Sequence, residues 1–215
     1  MPRTADHDQR RRSIAAAFQA LLAEGGLGST TYPRLAARAG ISVGLIQHYF
    51  ASKEELLRFA YADCLARRDT RIAALVDAGE AAGRPVSAML TDSLLELVPL
   101  DDERRTEHAV VQSLLTGALH DPALADVARA ASRETHHRVR VAVENAKRCG
   151  EVEPAVDAAA TATVLLATTR GIATGVALGE PGTPPGTAAD AAAALAPVVA
   201  LSFTGRCRHH DRPAD

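Results

Sequence analysis

Tryptophan is absent from this 215-residue chain, and phenylalanine and tyrosine together supply only 3% of it. Hydrophobic residues still make up 47%, so Ala and Leu must do most of the core filling, which favours closely packed helices over a sheet. No stretch alternates apolar and polar residues at period two for long enough to suggest a strand, and the chain reads as all-α. Cysteine occurs three times, at Cys64, Cys149 and Cys207, far apart and odd in number. Neither a disulfide framework nor a zinc spacing follows, and a reduced, cytoplasmic setting is expected. The polar, charged N-terminus does not suggest a secretory leader. The most apolar stretch, 158–179, is interrupted by Arg170, so no membrane partner is expected. Also missing are a nucleophile elbow, a P-loop, a dinucleotide glycine pattern and a paired zinc motif, which argues against an enzyme. His136-His137 and His209-His210 have no further ligands at i+4, so neither a metal nor a cofactor is expected.

Charge is uneven. The whole chain carries −2, but residues 1–53 hold seven basic against three acidic side chains, leaving the remainder with 17 against 23. A head of +4 on a body of −6 is the asymmetry expected of a nucleic-acid-binding domain joined to a domain with another partner.

The most informative stretch lies within that head, from Thr30 to Leu56. Leu35, Ala36 and Ala39 mark one short apolar helix face, begun either by Thr31 as cap or by Pro33 at the first helical position. Gly40 suits a left-handed stop, and Ser42 suits a new N-cap. Ile46 and Phe50 form one ridge of the second helix, while Val43, Gly44, Leu45, Gln47 and His48 lie on its outward side. Ser52-Lys53-Glu54-Glu55 reads as a capping box opening a third helix. The backbone N–H groups and Lys53 at that helix start suit a phosphate. This is a helix-turn-helix whose second helix fits a major groove about 12 Å wide.

These residues (Thr30-Thr31, Leu35-Ala36, Ala39 to Ser42, Gly44, His48 to Phe50 and Ser52 to Leu56) resemble the N-terminal signature of tetracycline-repressor-type (TetR-type) regulators. The resemblance implies a ligand-responsive repressor on a palindromic double-stranded DNA operator. It places Val43, Leu45 and Gln47 against bases and Thr31, His48, Tyr49 and Lys53 against phosphates, with Ser42 and Gly44 beside them. Gln47 departs from the tyrosine usual at its position; glutamine can donate to a phosphate or read adenine bidentately. Gly44 to Phe50 is similar to the betaine-regulator subgroup, which names no effector. An architectural DNA binder without effector, or a helical enzyme, is the alternative.

Along the chain, residues 1–8 read as a frayed arm, followed by a helix over 8–23 stopped at Gly25-Gly26. Arg10, Arg11 and Arg12 open that helix and suit either a phosphate or plain solvation. The helix begun at Ser52 runs to about 77, its apolar stripe made polar in the middle by Arg67, Arg68 and Arg71. A loop at 79–85, a helix over 86–97 and one ending at 120 follow. Next come a long helix over 122–148, a small-residue helix over 158–178 capped by Asp157, an irregular loop over 180–186, and a last helix over 187–203 that Pro197 should kink or break. The expected organisation is a DNA-binding head over 1–53, an effector-binding and dimerising body over 54–205, and a polar tail over 206–215. Cys64, Ser93, Glu96, His108, Gln112, Ser113 and Thr116 fall near apolar stripes where a small-molecule cavity is expected, bordered also by Tyr61. The last two helices, slender around Gly171 and Gly175, are expected to form a homodimer in which Gly175→Leu would block close approach. An effector would act by tilting the helix opened at Ser52.

Overall fold

The computed structural model describes residues 2–180 and 187–207. All but the first residue of the irregular loop expected over 180–186, and the polar tail from 208 on with His209 and His210, lie outside the described residues. Among the described residues there are nine helices and no strand. They are α1 (Pro2–Ser29), α2 (Tyr32–Ala39), α3 (Val43–Tyr49), α4 (Lys53–Ala81), α5 (Val86–Leu95), α6 (Asp102–Ala118), α7 (Pro122–Cys149), α8 (Ala158–Leu178) and α9 (Ala188–Ala200). The chain forms two compact units, one of residues 1–67 with 105–130 and the other of residues 68–104 with 131–215. The head expected to end at residue 53 lies wholly in the first.

In the first unit Ile14, Phe18 and Leu22 of α1 are buried together with Leu35 of α2, Ile46 of α3, Phe50, and Leu56 and Leu57 of α4. The helix begins at Pro2 rather than after a frayed arm, proline being tolerated in a first turn. The glycine pair interrupts α1 as expected: Gly25 and Gly26 are non-helical, Gly26 at φ 66, before a last turn to Ser29. A buried polar junction ties α1 to α4. Gln19 Nε2 donates to the Ala60 carbonyl at 3.0 Å and to Asp63 Oδ2 at 3.1 Å. Gln19 Oε1 accepts from Arg67 Nη2 at 3.2 Å, and Arg67 also pairs with Asp63.

The core of the second unit is aliphatic, as the scarcity of rings requires. Leu90, Leu94 and Val98 meet Val139, Val143 and Ala146 of α7, Ala162, Leu165 and Leu166 of α8, and Leu195 and Val199 of α9. The expected loop at 79–85 starts later. α4 continues to Ala81 because Gly79 is buried within it, with Met89 of α5 so near that a Cβ there would lie 2.5 Å from Sδ. α9 runs through Pro197 to Ala200 instead of ending there. Among the described residues α8 is long and apolar enough to cross a membrane, yet Ala158, Ala162, Leu165, Leu166 and Ala173 on one side of it belong to this core. Gly175 is on the buried side of α8, and Gly171 is exposed with nothing near its missing Cβ. The slender outward surface is therefore at Gly171, and Gly175→Leu would disrupt the subunit's own packing.

One side chain that spacing does not single out organises this unit. α5 starts after Pro85, which offers no side-chain cap. The buried Glu151 takes that role from a distance, its Oε1 accepting from the Val86 N–H at 2.6 Å and its Oε2 from the Ser87 N–H at 2.9 Å. Burial pushes its carboxyl upward, but the donors of Ser87 and Val86 outweigh that and hold it below its ordinary value of 4.5.

Glu151→Ala should destabilise the protein by about 2–4 kcal/mol, since two orphaned amides lose a charged acceptor. Because the folded-state value is depressed, this stabilisation is present above about pH 4.5 and is lost as pH falls through the lower folded value. Urea unfolding of both proteins from pH 7 to pH 3 should show the gap between them closing at the acid end.

Candidate nucleic-acid interface and ligand cavity

The helix-turn-helix is built by the caps that the sequence suggests. Thr31 Oγ1 accepts from the Arg34 N–H at 3.4 Å, which makes Thr31 the N-cap of α2 and puts Pro33 in its first turn. Gly40 stops α2 at φ 66, ψ 32, and its N–H closes back on Ala36 and Ala37. Ser42 Oγ accepts from the Leu45 N–H at 3.2 Å to start α3, and Ser52 Oγ accepts from the Glu55 N–H at 3.1 Å to start α4. The reciprocal arm of the capping box reaches one residue further than expected, Glu55 Oε2 accepting from Ala51 N–H at 2.8 Å.

α3 is seven residues, about 10 Å of helix. Ile46 is fully buried beneath it. Ser42, Gly44, Gln47, His48 and, from α2's cap, Thr31 are exposed, while Val43, Leu45, Tyr49 and Lys53 are half-buried. The Tyr49 ring packs between His7, at 4.8 Å, and His48, at 5.3 Å. A Cβ at Gly44 would meet nothing within 4 Å, so the protein's own packing does not require glycine there. Lys53 Nζ donates to the Leu27 carbonyl at 2.7 Å, with burial lowering its pKa against the raising influence of Glu54. Two ammonium donors remain for a phosphate.

Of the three arginines expected to open α1, which lie inside it because it begins at Pro2, Arg10 and Arg12 are exposed and Arg11 turns inward. Its guanidinium lies 4.4 Å above the Phe50 ring and 4.8 Å above the Phe59 ring, and Nη2 donates to Glu55 Oε1 at 3.0 Å. Arg11 thus braces the junction that follows α3. The structure favours neither reading that sequence left open for it, phosphate contact or solvation.

The residues expected around an effector are not brought together. Tyr61 and Cys64 are buried in the first unit, where burial pushes the Cys64 thiol up to about 12. His108 is half-buried there, with its pKa lowered by burial, and Gln112 and Thr116 are exposed. Glu96 is in the second unit, taken by Arg71 Nε at 2.7 Å and Arg104 Nη1 at 3.2 Å. Ser113 is half-buried in the first unit, and Ser93 alone of the eight lines a cavity of about 710 Å³ wholly within the second unit. α4, α5 and α7 wall this cavity with Ile72, Val76, Met89, Leu90, Leu94, Val139 and Ala142, Leu97 joins them from just beyond α5, and Arg68, Asp69, Arg84, Arg138 and Arg148 supply most of its charge. The overlooked signal was Arg68 itself. With Ile72 and Val76 it recurs every four residues, so the polar break in the stripe of α4 faces the same way as the apolar residues.

Tertiary folding also joins groups that spacing keeps apart. Cys149, Glu151 and Cys207 bring their ligand atoms within 4.8 Å of one another. Glu151 is already committed to α5, and Cys149 Sγ donates to it at 3.3 Å, so the cluster serves first as an extension of the cap. His136 Nε2 lies 3.1 Å from the Ala159 carbonyl and 3.0 Å from Thr163 Oγ1, a clasp between α7 and α8.

Comparison with known proteins matches both parts. Residues 14–59 fit the family described as bacterial regulatory proteins, tetR family, and residues 86–200 fit the BetI-type transcriptional repressor, C-terminal. Over 60 residues the chain is 40% identical to the HTH-type transcriptional regulator PksA of Bacillus subtilis, covering 28% of this chain and 29% of that protein. Over 138 residues it is 30% identical to the HTH-type transcriptional regulator BetI of Cronobacter sakazakii, covering 62% of this chain and 65% of that protein. Both matches span less than two thirds of the relative. A regulator from Saccharomonospora viridis solved in complex with choline shares the fold, with TM-score 0.73, 20% identity and coverage of 89% of this chain and 96% of that one.

Arg11→Leu should cost about 1–2 kcal/mol of stability, from loss of the cation–π stack and the Glu55 pair. A melt that is unchanged, together with weaker binding to every DNA, would instead return Arg11 to the surface as a phosphate contact.

Proposed function

We infer, since this chain belongs to the TetR family of bacterial regulators and its C-terminal part to the BetI-type repressors, that it is an intracellular repressor that a small molecule releases from DNA. It is a DNA-binding regulator and not an enzyme. The observation that carries the operator reading is α3, capped at both ends and anchored by Ile46, with its outward positions given to side chains the fold does not use. Gln47 and His48 are exposed there, and Gly44 leaves open space where a DNA backbone can come close. Val43, Leu45 and Gln47 face bases in this reading, and Thr31, Ser42, His48, Tyr49 and Lys53 hold the phosphates on either side.

One α3 reads one half-site, so a palindromic operator needs two copies of the chain. The outward sides of α8 and α9 suit such a pairing. Val164, Leu178 and Leu201 are 50%, 69% and 76% exposed, a wet apolar surface beside Gly171. The effector takes the cavity in the second unit, whose volume is in the range of small-molecule sites. α4 links the two roles, since this single helix starts at Lys53 and further on supplies Arg68, Ile72 and Val76 to the cavity wall. An effector that favours one pose of α4 shifts the spacing of the reading helices by linkage, at a usual scale of about 1–3 kcal/mol.

The operator is found by selecting from random DNA. On that sequence Gln47→Ala should relax preference at one base pair per half-site, costing about 1–3 kcal/mol if the contact is bidentate. Equal losses on operator and random DNA would remove Gln47 from base reading.

For the pairing, Gly171→Leu should keep the melting temperature and shift sedimentation toward monomer at micromolar concentration, with weaker operator binding. A wild-type protein that sediments as a monomer would refute the dimer.

A further inference from the structure

The charge and shape of the cavity restrict what it takes. Its far wall is aliphatic, and among the described residues no Phe, Tyr or Trp lines it. A quaternary ammonium is held by aromatic faces or by several carboxylates together, and this cavity offers no ring and, in Glu80, a single carboxylate without a cation beside it. Its two acidic lining residues are Asp69 and Glu80, against the four arginines 68, 84, 138 and 148. Asp69 is already shared, meeting Arg68 Nη2 at 3.2 Å and Arg138 Nη1 at 3.0 Å. Arg84 is occupied by Asp92 at 2.7 Å and Arg138 by Glu134 at 2.7 Å. Arg68 differs from them. Its side chain is only 15% exposed, and its Nε–H is buried with no hydrogen-bond partner. A guanidinium stays charged at any physiological pH, and a buried donor on it left unmade is costly.

We propose that this cavity binds an amphipathic anion, an aliphatic chain ending in a carboxylate, with the carboxylate set against the Arg68 guanidinium and the chain lying along Ile72, Val76, Leu90, Leu94 and Val139. The proposal rests on the cavity being the effector site and narrows that reading to one chemical class. The head meets a lining in which four arginines outnumber two carboxylates, and the chain covers apolar wall that would otherwise hold water. Choline, bound by the structural neighbour, has neither an anionic head nor an apolar tail.

Calorimetric titration of the full chain with octanoate, 1-octanol and octyltrimethylammonium tests it, extended to decanoate and dodecanoate. Octanoate should bind at least about tenfold more tightly than the alcohol, and the ammonium compound more weakly than either. Each added methylene should tighten binding about fourfold until the cavity is full. Arg68→Gln should erase the preference for octanoate over octanol while leaving octanol binding in place. If the ammonium compound equals or exceeds octanoate on the wild type, or if Arg68→Gln keeps the preference, the anion proposal is wrong. The wild-type comparison decides even if Arg68→Gln fails to fold. Ala142→Trp, which fills the space, separates this failure from that of the underlying reading. Ligands that bind wild type and variant alike show that the cavity is not the site, and so does a lack of binding by all of them. An ammonium compound that Ala142→Trp excludes leaves the cavity as the site and overturns the anion alone.

Discussion

A seven-residue helix does not hold itself together in water, because nucleating a helix costs more than so few hydrogen bonds return. Everything in the first unit answers that constraint. Ser42 supplies the missing acceptor at the start of α3, and Ile46 and Phe50 sink its inner side into the core made by α1, α2 and α4. Beyond its end, Ser52 and Glu55 cap α4, and Glu55 is itself held by Arg11, which stacks on Phe50 and Phe59. The rigidity of the outward face comes from these inward contacts. Gln47 and His48 are thereby presented to solvent on a platform that they do not help to build.

The second unit solves a different problem with the same tools. With hardly any rings to fill space, its helices come close on small residues, as at Gly79 against Met89 and along the inner side of α8. Small aliphatic side chains pack tightly in pairs of helices but leave a void between α4, α5 and α7, and the cavity is that void. Glu151 holds the start of α5, which supplies Val86, Met89, Leu90, Ser93 and Leu94 to the wall. A change at the cap therefore reaches the cavity through α5. The partner of a DNA-reading head is then a chamber whose chemistry depends on a few charged groups, Arg68 among them.

Sequence reasoning succeeded where the physics is local. Helix stops and starts at Gly40, Ser42, Ser52 and Asp157 need only a side chain and the backbone a few residues away, and each was legible. It did poorly where the answer needs two distant segments. Polar residues near an apolar stripe were gathered as a pocket, but those on α6 and the early part of α4 belong to the first unit and Glu96 to an arginine cluster. Gly171 and Gly175 share a spacing that suggests one face, yet α8 is buried on enough of its circumference that the two divide between solvent and core.

By itself the sequence determined an all-helical chain, a basic head carrying a capped helix-turn-helix, and the membership that this motif signals. Periodicity, caps and charge are properties of neighbouring residues and survive without a fold. Tertiary structure alone decided that Arg11 braces the interior, that Glu151 caps a helix more than sixty residues earlier, and that a cavity opens beside Arg68. Those three depend on burial, and burial is set by which segments meet, so that one arginine is spent on a carboxylate and two rings while another, of the same type, lines an apolar space.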